Sequence, residues 1–289
     1  MQEHCPLPPA VVVGIDGSRP GIDAALWAVD EAVSRDIPLR VVYAIDPGDS
    51  ASTDCDVLAR KLAAAEAAVK YAFAAVESTN KPVKIEVEIL QDRPTRALLE
   101  ASRWAALVCV GATGLKHCAQ GRIGSTAAAL ASSARSPVAV VRGHDPLHAK
   151  QQWVVAEVDE SAVSDRVLRR ALEEAQLRGA PLRVLNTWQS RFTDIHDGNA
   201  VANGNRLARA QLDRRLAQLK KGCPDLDVRA VAVPGNTLNF LTKNADSIQL
   251  LVVGHERAQG FTALVGPPGN AALQGSACSV LICEPQNVL

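Results

Sequence analysis

The sequence predicts an α/β protein built from two tandem copies of one domain, each a five-stranded parallel sheet in the order 3-2-1-4-5. Three observations carry that expectation. Segments of the first half recur in the second at a constant distance. Short apolar, β-branched runs alternate with amphipathic helical stretches, the pattern of a doubly wound parallel sheet. A glycine-rich loop follows the fourth apolar run, where such sheets take up ligands.

The repeat is read directly from the chain. "VVVGIDGS" (11–18) is echoed by "VVAEVDES" (154–161), "IPLRVVYAID" (37–46) by "APLRVLNTWQ" (180–189), and "ALVCVGATG" (106–114) by "QLLVVGHER" (249–257). Asp16 and Asp159, Pro38 and Pro181, and Gly111 and Gly254 are each 143 residues apart. Val138 and Val280 are separated by 142, so one residue is lost after the fourth strand of the second copy. The expected domains are 1–143 and 153–289, joined by a linker over 144–152.

Within the first copy, Val11–Ile15 reads as a strand, and Ser18 is an N-cap with Pro20 in the first turn behind it. The helix that follows carries Ile22, Leu26, Val29 and Val33 at helical spacing. Leu39–Ile45 is the second strand and residues 58–76 a long amphipathic helix. "VKIEVEIL" (83–90) alternates as an edge strand with one wet face would. A short helix (94–104), an apolar strand (106–110), the glycine loop, a helix from about Ser125 and a strand at 137–141 complete the domain. Right-handed crossovers then leave the first and fourth strands side by side at the point where the winding reverses.

Bulk properties narrow the function. With 31 basic and 31 acidic residues among 289, the formal charge is zero and the pI about 7.0. Neither a nucleic-acid partner nor an anionic membrane surface is expected on that ground. The N-terminus has no basic and apolar leader pattern, and no apolar run reaches the roughly 18–20 residues of a spanning helix, so a cytoplasmic protein is expected. Seven cysteines form no C-x-x-C pair, and Cys109, Cys278 and Cys283 fall in apolar strand runs as small buried hydrophobes.

The richest stretch is "GATGLKHCAQGRIGSTAAAL" (111–130). Gly111 ends a strand, where the lack of Cβ is expected to let a ligand approach. Gly114 is expected to take a positive φ for a sharp turn. Gly124-Ser125-Thr126 opens a helix whose first N–H groups have no internal partner and sit at the positive end of the helix dipole. That makes a phosphate cradle, with Lys116 and Arg122 as nearby positive charge. Asp16, at the end of the first strand, faces this loop and can accept from ribose hydroxyls or hold magnesium through water. His117 reads as a solvated side chain, and Pro146 inside "HDPLH" (144–148) argues against a metal-binding helix. No P-loop, G-x-G-x-x-G, G-x-S-x-G or H-E-x-x-H pattern is present, so no dedicated catalytic set is expected.

The spacing G-x2-G-x9-G-[ST] after a strand, with "VVVGIDGS" at the start, resembles the universal stress protein family, and the tandem arrangement is similar to its two-domain actinobacterial members. The resemblance covers essentially the whole chain. It implies Rossmann-like domains of the adenine nucleotide alpha hydrolase type, bound ATP with magnesium possible, a role in stress response or growth regulation, homodimers, and an unidentified regulatory protein partner. Carried over, Gly14, Ile15 and Asp16 line the adenosine side, and Ala44 presents backbone to the adenine. Val110 and Gly111 flank ribose and phosphates, while Gly114, Gly124, Ser125 and Thr126 hold the phosphates. Weak magnesium-dependent ATP hydrolysis and a nucleotide-free dimerisation scaffold stay open as alternatives. The second half departs from the pattern. Glu157 stands at the place of Gly14 and Arg257 at that of Gly114, and Gly266 is followed by Pro267 and Pro268, which lack the N–H donors a cradle needs. The second site is expected to be weak or dead.

Overall fold

The protein is described from a computed structural model, which describes residues 8–47, 55–115, 123–143, 151–159, 161, 163–188, 198–255 and 277–283. The chain divides into two compact units, Met1–His144 and Asp145–Leu289.

In the first unit the strands are β1 (Val11–Ile15), β2 (Leu39–Ala44), β3 (Ile85–Leu90), β4 (Leu107–Gly111) and β5 (Val138–Val141). The helices are α1 (Arg19–Arg35), α2 (Cys55–Glu77), α3 (Pro94–Ala101) and α4 (Ser125–Ser133). All neighbouring strands pair in parallel, in the order β3-β2-β1-β4-β5. β1 and β4 are therefore adjacent, with Gly14 opposite Val110 in register. The expected topology is the observed one.

Both faces of the sheet are covered, as its near-continuous apolar strands require. Val12, Val42, Val108, Val110 and Val140 form a core with Leu98 of α3 and Ala127 and Leu130 of α4. α1 packs on β1 and β4 from the other side. Ser18 caps α1 as expected, its Oγ accepting from the Gly21 N–H at 3.2 Å.

Two details differ from the sequence reading. The buried stripe of α1 is made mostly of small residues, Ala24, Ala25, Ala28 and Ala32 with Ile22, Trp27 and Val29, while Leu26 and Val33 are only partly covered. Alanines let the helix lie close to the sheet, which hydrophobicity alone did not reveal. β3 is an edge strand, but it does not have one dry face, for Val87 is 43% exposed. Its acidic face is the ordered one. Glu86 and Glu88 both pair with Arg40 of β2, at 3.0 and 3.3 Å, and Lys84 and Arg40 hold the Glu86 carboxyl below the usual glutamate range.

The second unit repeats the plan with β6 (Trp153–Glu157), β7 (Leu182–Trp188), β8 (Val228–Pro234), β9 (Ile248–Gly254) and β10 (Ser279–Cys283). Its parallel order is β8-β7-β6-β9-β10. Helices α5 (Val163–Arg178), α6 (Gly198–Gly222) and α7 (Thr237–Asn244) correspond to α1, α2 and α3.

Two polar features recur in both units, although apolar periodicity gave no hint of them. Glu31 is fully buried in α1 and pairs with Arg35 one turn on at 2.8 Å. Its counterpart Glu174, 1% exposed in α5, pairs with Arg178 and with Arg170. Arg40 likewise matches Arg183, which is buried against Asp227 at 3.0 Å and lies over the Trp153 ring. Removing one member of such a buried pair strands the other charge, so each pair is expected to be costly to break.

One glycine tests how closely α1 lies on the sheet. A Cβ built on Gly111 would stand 2.7 Å from the backbone C and O of Pro20. Gly111→Ala is expected to destabilise the first unit by about 1–3 kcal/mol, the usual range for overpacking. A lowered urea midpoint with unchanged slope is the measurement that checks it.

Candidate functional site

The carboxyl ends of β1, β2 and β4 meet around one side chain. Asp16 follows the last residue of β1, and its two carboxylate oxygens accept from two different loops. Oδ1 accepts from the Ser18 N–H at 3.0 Å, inside its own turn. Oδ2 accepts from the Leu115 N–H at 2.9 Å, across the crevice in the glycine loop. The acid expected to face a ligand therefore also fastens the loop after β4 to the loop after β1.

The same carboxylate explains Gly114. Its φ is not positive, contrary to expectation, and Gly17 is the site's left-handed glycine, with φ 84°. What Gly114 cannot carry is a Cβ, which would stand 2.8 Å from Asp16 Oδ2. Gly111 is likewise explained by the protein itself, through the Pro20 backbone and not through room for a ligand. A Cβ on Gly14 would meet Leu98 Cδ1 at 2.6 Å and Val110 Cγ1 at 3.2 Å, so that glycine lets α3 close on the sheet.

Gly124 is different. Its backbone is extended, with φ −66° and ψ 154°, which any residue adopts. A Cβ there would find nothing nearer than the Ala112 O and Gly114 N, both at 3.7 Å. Neither packing nor backbone geometry demands a glycine at this position. It is the N-cap of α4, makes no side-chain cap, and no acid stands in the first turn. Its own N–H donates to Ala112 O at 2.8 Å, which sets the start of α4 against the end of β4.

Most expected site residues converge here. Gly14, Asp16, Gly111, Gly114 and Gly124 surround the junction, with Ser125 exposed and Thr126 half-buried behind Gly124. Ile15 and Val110 have buried side chains, 5% and 4% exposed, so only their backbones can face a ligand. Ala44 ends β2, half-buried. Lys116, His117 and Arg122 lie outside the described residues.

Sequence reasoning missed Tyr43, which stands opposite Ile15 in register. Burial, and after it the Asp16 carboxylate, raise its phenol above the usual tyrosine value. A hydroxyl-bearing residue at the carboxyl end of an apolar strand was the available signal. Among the described residues no group of three His, Cys, Asp or Glu side chains is placed to hold a metal.

A family model described as the universal stress protein family matches residues 9–142 and again 153–284. The chain belongs to the universal stress protein family. Universal stress protein Rv2028c of Mycobacterium tuberculosis is 48% identical over 280 residues, covering 96% of this chain and 97% of the relative. Universal stress protein Rv3134c of the same species is 43% identical over 283 residues, again covering 96% and 97%. Among solved structures, a universal stress protein from Archaeoglobus fulgidus aligns with a TM-score of 0.69 over 96% of this chain and 97% of that one. At 16% identity that likeness concerns the fold. Among the described residues no helix is long and apolar enough to cross a membrane.

As a tandem universal stress protein, the chain carries a second crevice that is built differently. Glu157, at the place of Gly14, is 8% exposed and its Oε1 accepts from the Thr237 hydroxyl at the start of α7. The carboxylate thus fills space beside the sheet that Gly14 leaves for the approach of Leu98 in the first unit. Asp159 keeps the turn of Asp16, its Oδ1 accepting from Ser161 N–H at 2.8 Å and from the Ser161 and Ser164 hydroxyls. Gly254 keeps the end of β9. Arg257, Gly266, Pro267 and Pro268 lie outside the described residues.

The proximity of Tyr43 and Asp16 gives a pH test. The sequence holds two tyrosines, so Tyr71→Phe leaves Tyr43 as the single phenol. In that background Tyr43 is expected to ionise above the ordinary tyrosine range, and Asp16→Asn to lower its pKa by removing the nearby negative charge. Absorbance near the phenolate band, followed through an alkaline titration, reads both. An unchanged midpoint in Asp16→Asn would separate the two groups.

Proposed function

We propose that the first domain, residues 1–143, is an ATP-binding module, and that the protein acts in stress response or growth regulation through the state of that site. The observation that carries this reading is Gly124. The other glycines of the motif are explained by contacts within the domain, whereas a side chain at Gly124 would meet only ordinary van der Waals neighbours. A glycine that the fold does not need, at an uncapped helix start beside two strand ends, fits a position reserved for a phosphate.

In this reading the first-turn N–H groups of α4, with the Ser125 and Thr126 hydroxyls, hold phosphate oxygens. Gly111 and Gly114 keep the facing loop low enough for the ribose and phosphates to pass. Ala44 offers backbone to the adenine, and the backbones of Gly14, Ile15 and Val110 line the adenosine side. Asp16 holds both loops and, with one acceptor direction left on each oxygen, can meet ribose hydroxyls. A magnesium ion fits as a companion of the nucleotide's phosphates, reaching Asp16 through water, since among the described residues no protein cluster is placed to bind it alone. The second domain, with Glu157 buried at the place of Gly14, serves as a structural partner with little or no nucleotide binding.

Two substitutions at one position test the reading without disturbing the fold. Gly124→Ala is expected to leave the thermal midpoint essentially unchanged, yet weaken ATP binding by about ten-fold or more, equal to about 1.4 kcal/mol. Gly124→Glu should abolish binding by placing a carboxylate where phosphate charge must sit. Titration calorimetry with ATP, with and without magnesium, measures both. Wild-type affinity in both variants overturns the assignment.

A further inference from the structure

Helix α2 carries an apolar surface that its own domain does not cover. Its dry side, Ala65, Ala68, Ala72 and Val76, is buried in the first unit. The opposite face of such a helix is ordinarily charged and polar. Here Leu58, Leu62, Tyr71 and Phe73 are exposed, by 49%, 42%, 64% and 37%, four of the nine large apolar side chains exposed among the described residues. Between them runs a ridge of exposed alanines, Ala59, Ala63, Ala67 and Ala74. With about 100° between successive residues, Leu58, Leu62 and Phe73 stand on one flank of the ridge and Tyr71 on the other. Apolar exposure gathered on one element marks an interaction surface, whereas single exposed residues do not.

The counterpart helix in the second unit is built differently. Exposed positions of α6 carry Arg206, Arg209, Arg214 and Lys221, and two such like-charged helices would repel each other. In α2 the charges balance, with Asp56, Glu66 and Glu77 against Arg60, Lys61 and Lys70. The middle of its ridge holds just Glu66 and Lys70, one turn apart, exposed and of opposite sign. Neither makes an ion pair or a side-chain hydrogen bond among the described residues.

That pattern is complementary to itself. Two α2 helices laid antiparallel about a two-fold axis at the level of Ala68 set residues equally far before and after Ala68 opposite each other. Glu66 then faces Lys70 of the second copy, and symmetry makes the pair twice. Phe73 comes opposite Ala63 and Leu62 opposite Ala74, a large side chain against a small one each time. We propose that α2 is the face by which two copies of this chain associate, as an antiparallel helix pair with this register. One helix face buries less than the about 1,600 Å² of a standard interface, so the pair forms reversibly, with concentration.

Sedimentation velocity of the full chain over a concentration series reads the association, and the wild type is expected to pass from monomer to dimer. Ala63→Glu places a carboxylate on the ridge at an exposed position, where glutamate is a good helix former. It is expected to abolish the dimer while circular dichroism and the thermal midpoint stay those of the wild type. Glu66→Lys sets like charges opposite each other and is expected to weaken association by about ten-fold or more. Adding Lys70→Glu reverses both pairs and is expected to restore it, a rescue that this antiparallel register requires. A wild type that stays monomeric at every concentration overturns the proposal and leaves the face to a different protein. A dimer unaffected by Ala63→Glu, or a charge exchange without rescue, overturns it as well.

Discussion

The first domain depends on a single carboxylate. Asp16 stands where the sheet reverses its winding, and nothing else among the described residues is seen to bond both loops there. One oxygen holds the turn that starts α1 and the other holds the loop that leaves β4. Without that pair of bonds the two strand ends would still be neighbours, because the topology makes them so. The loops above them would have no common anchor. Each oxygen of Asp16 receives a backbone N–H donor, so the carboxylate is hydrogen-bonded to both loops at once.

The sheet and its order were legible in the sequence because parallel strands buried on two faces must be continuous apolar runs, and the five runs of each half are short and well separated. Val11–Ile15, Leu39–Ala44 and Leu107–Gly111 fall within a residue or so of where composition places them. The site's residue types were legible too, but several reasons assigned to them were not. Gly111 and Gly114 look like glycines kept for a ligand, yet each faces a protein atom, the Pro20 backbone in one case and Asp16 in the other. Three-dimensional closeness between residues about 90 to 100 positions apart has no local signature. For the same reason the Asp16–Leu115 bond, the Tyr43 environment and the Arg40–Glu86 pairing could be found only in the folded chain.

Helix amphipathicity was a partial guide. The buried side of α1 is alanine-rich, and large residues chosen by periodicity mark only its rim. The logic is geometric. A helix that must lie close over a strand ending in glycine cannot present leucines at the point of contact. Burial of Glu31 in the same helix shows the limit of reading charge as exposure, since a carboxylate can lie in the interior when an arginine one turn away supplies its counter-charge.

The recurrence of Glu31–Arg35 as Glu174–Arg178, set beside the replacement of Gly14 by Glu157, has a consequence for how the two halves have diverged. A duplicated unit is free to drift wherever its sister keeps performing the task, but it must go on folding. The second half has kept the interior ion pair and given up the open strand end, so it acts as a natural substitution experiment carried within the same polypeptide. What both halves retain belongs to the architecture. What only the first retains is the best internal record of what it holds.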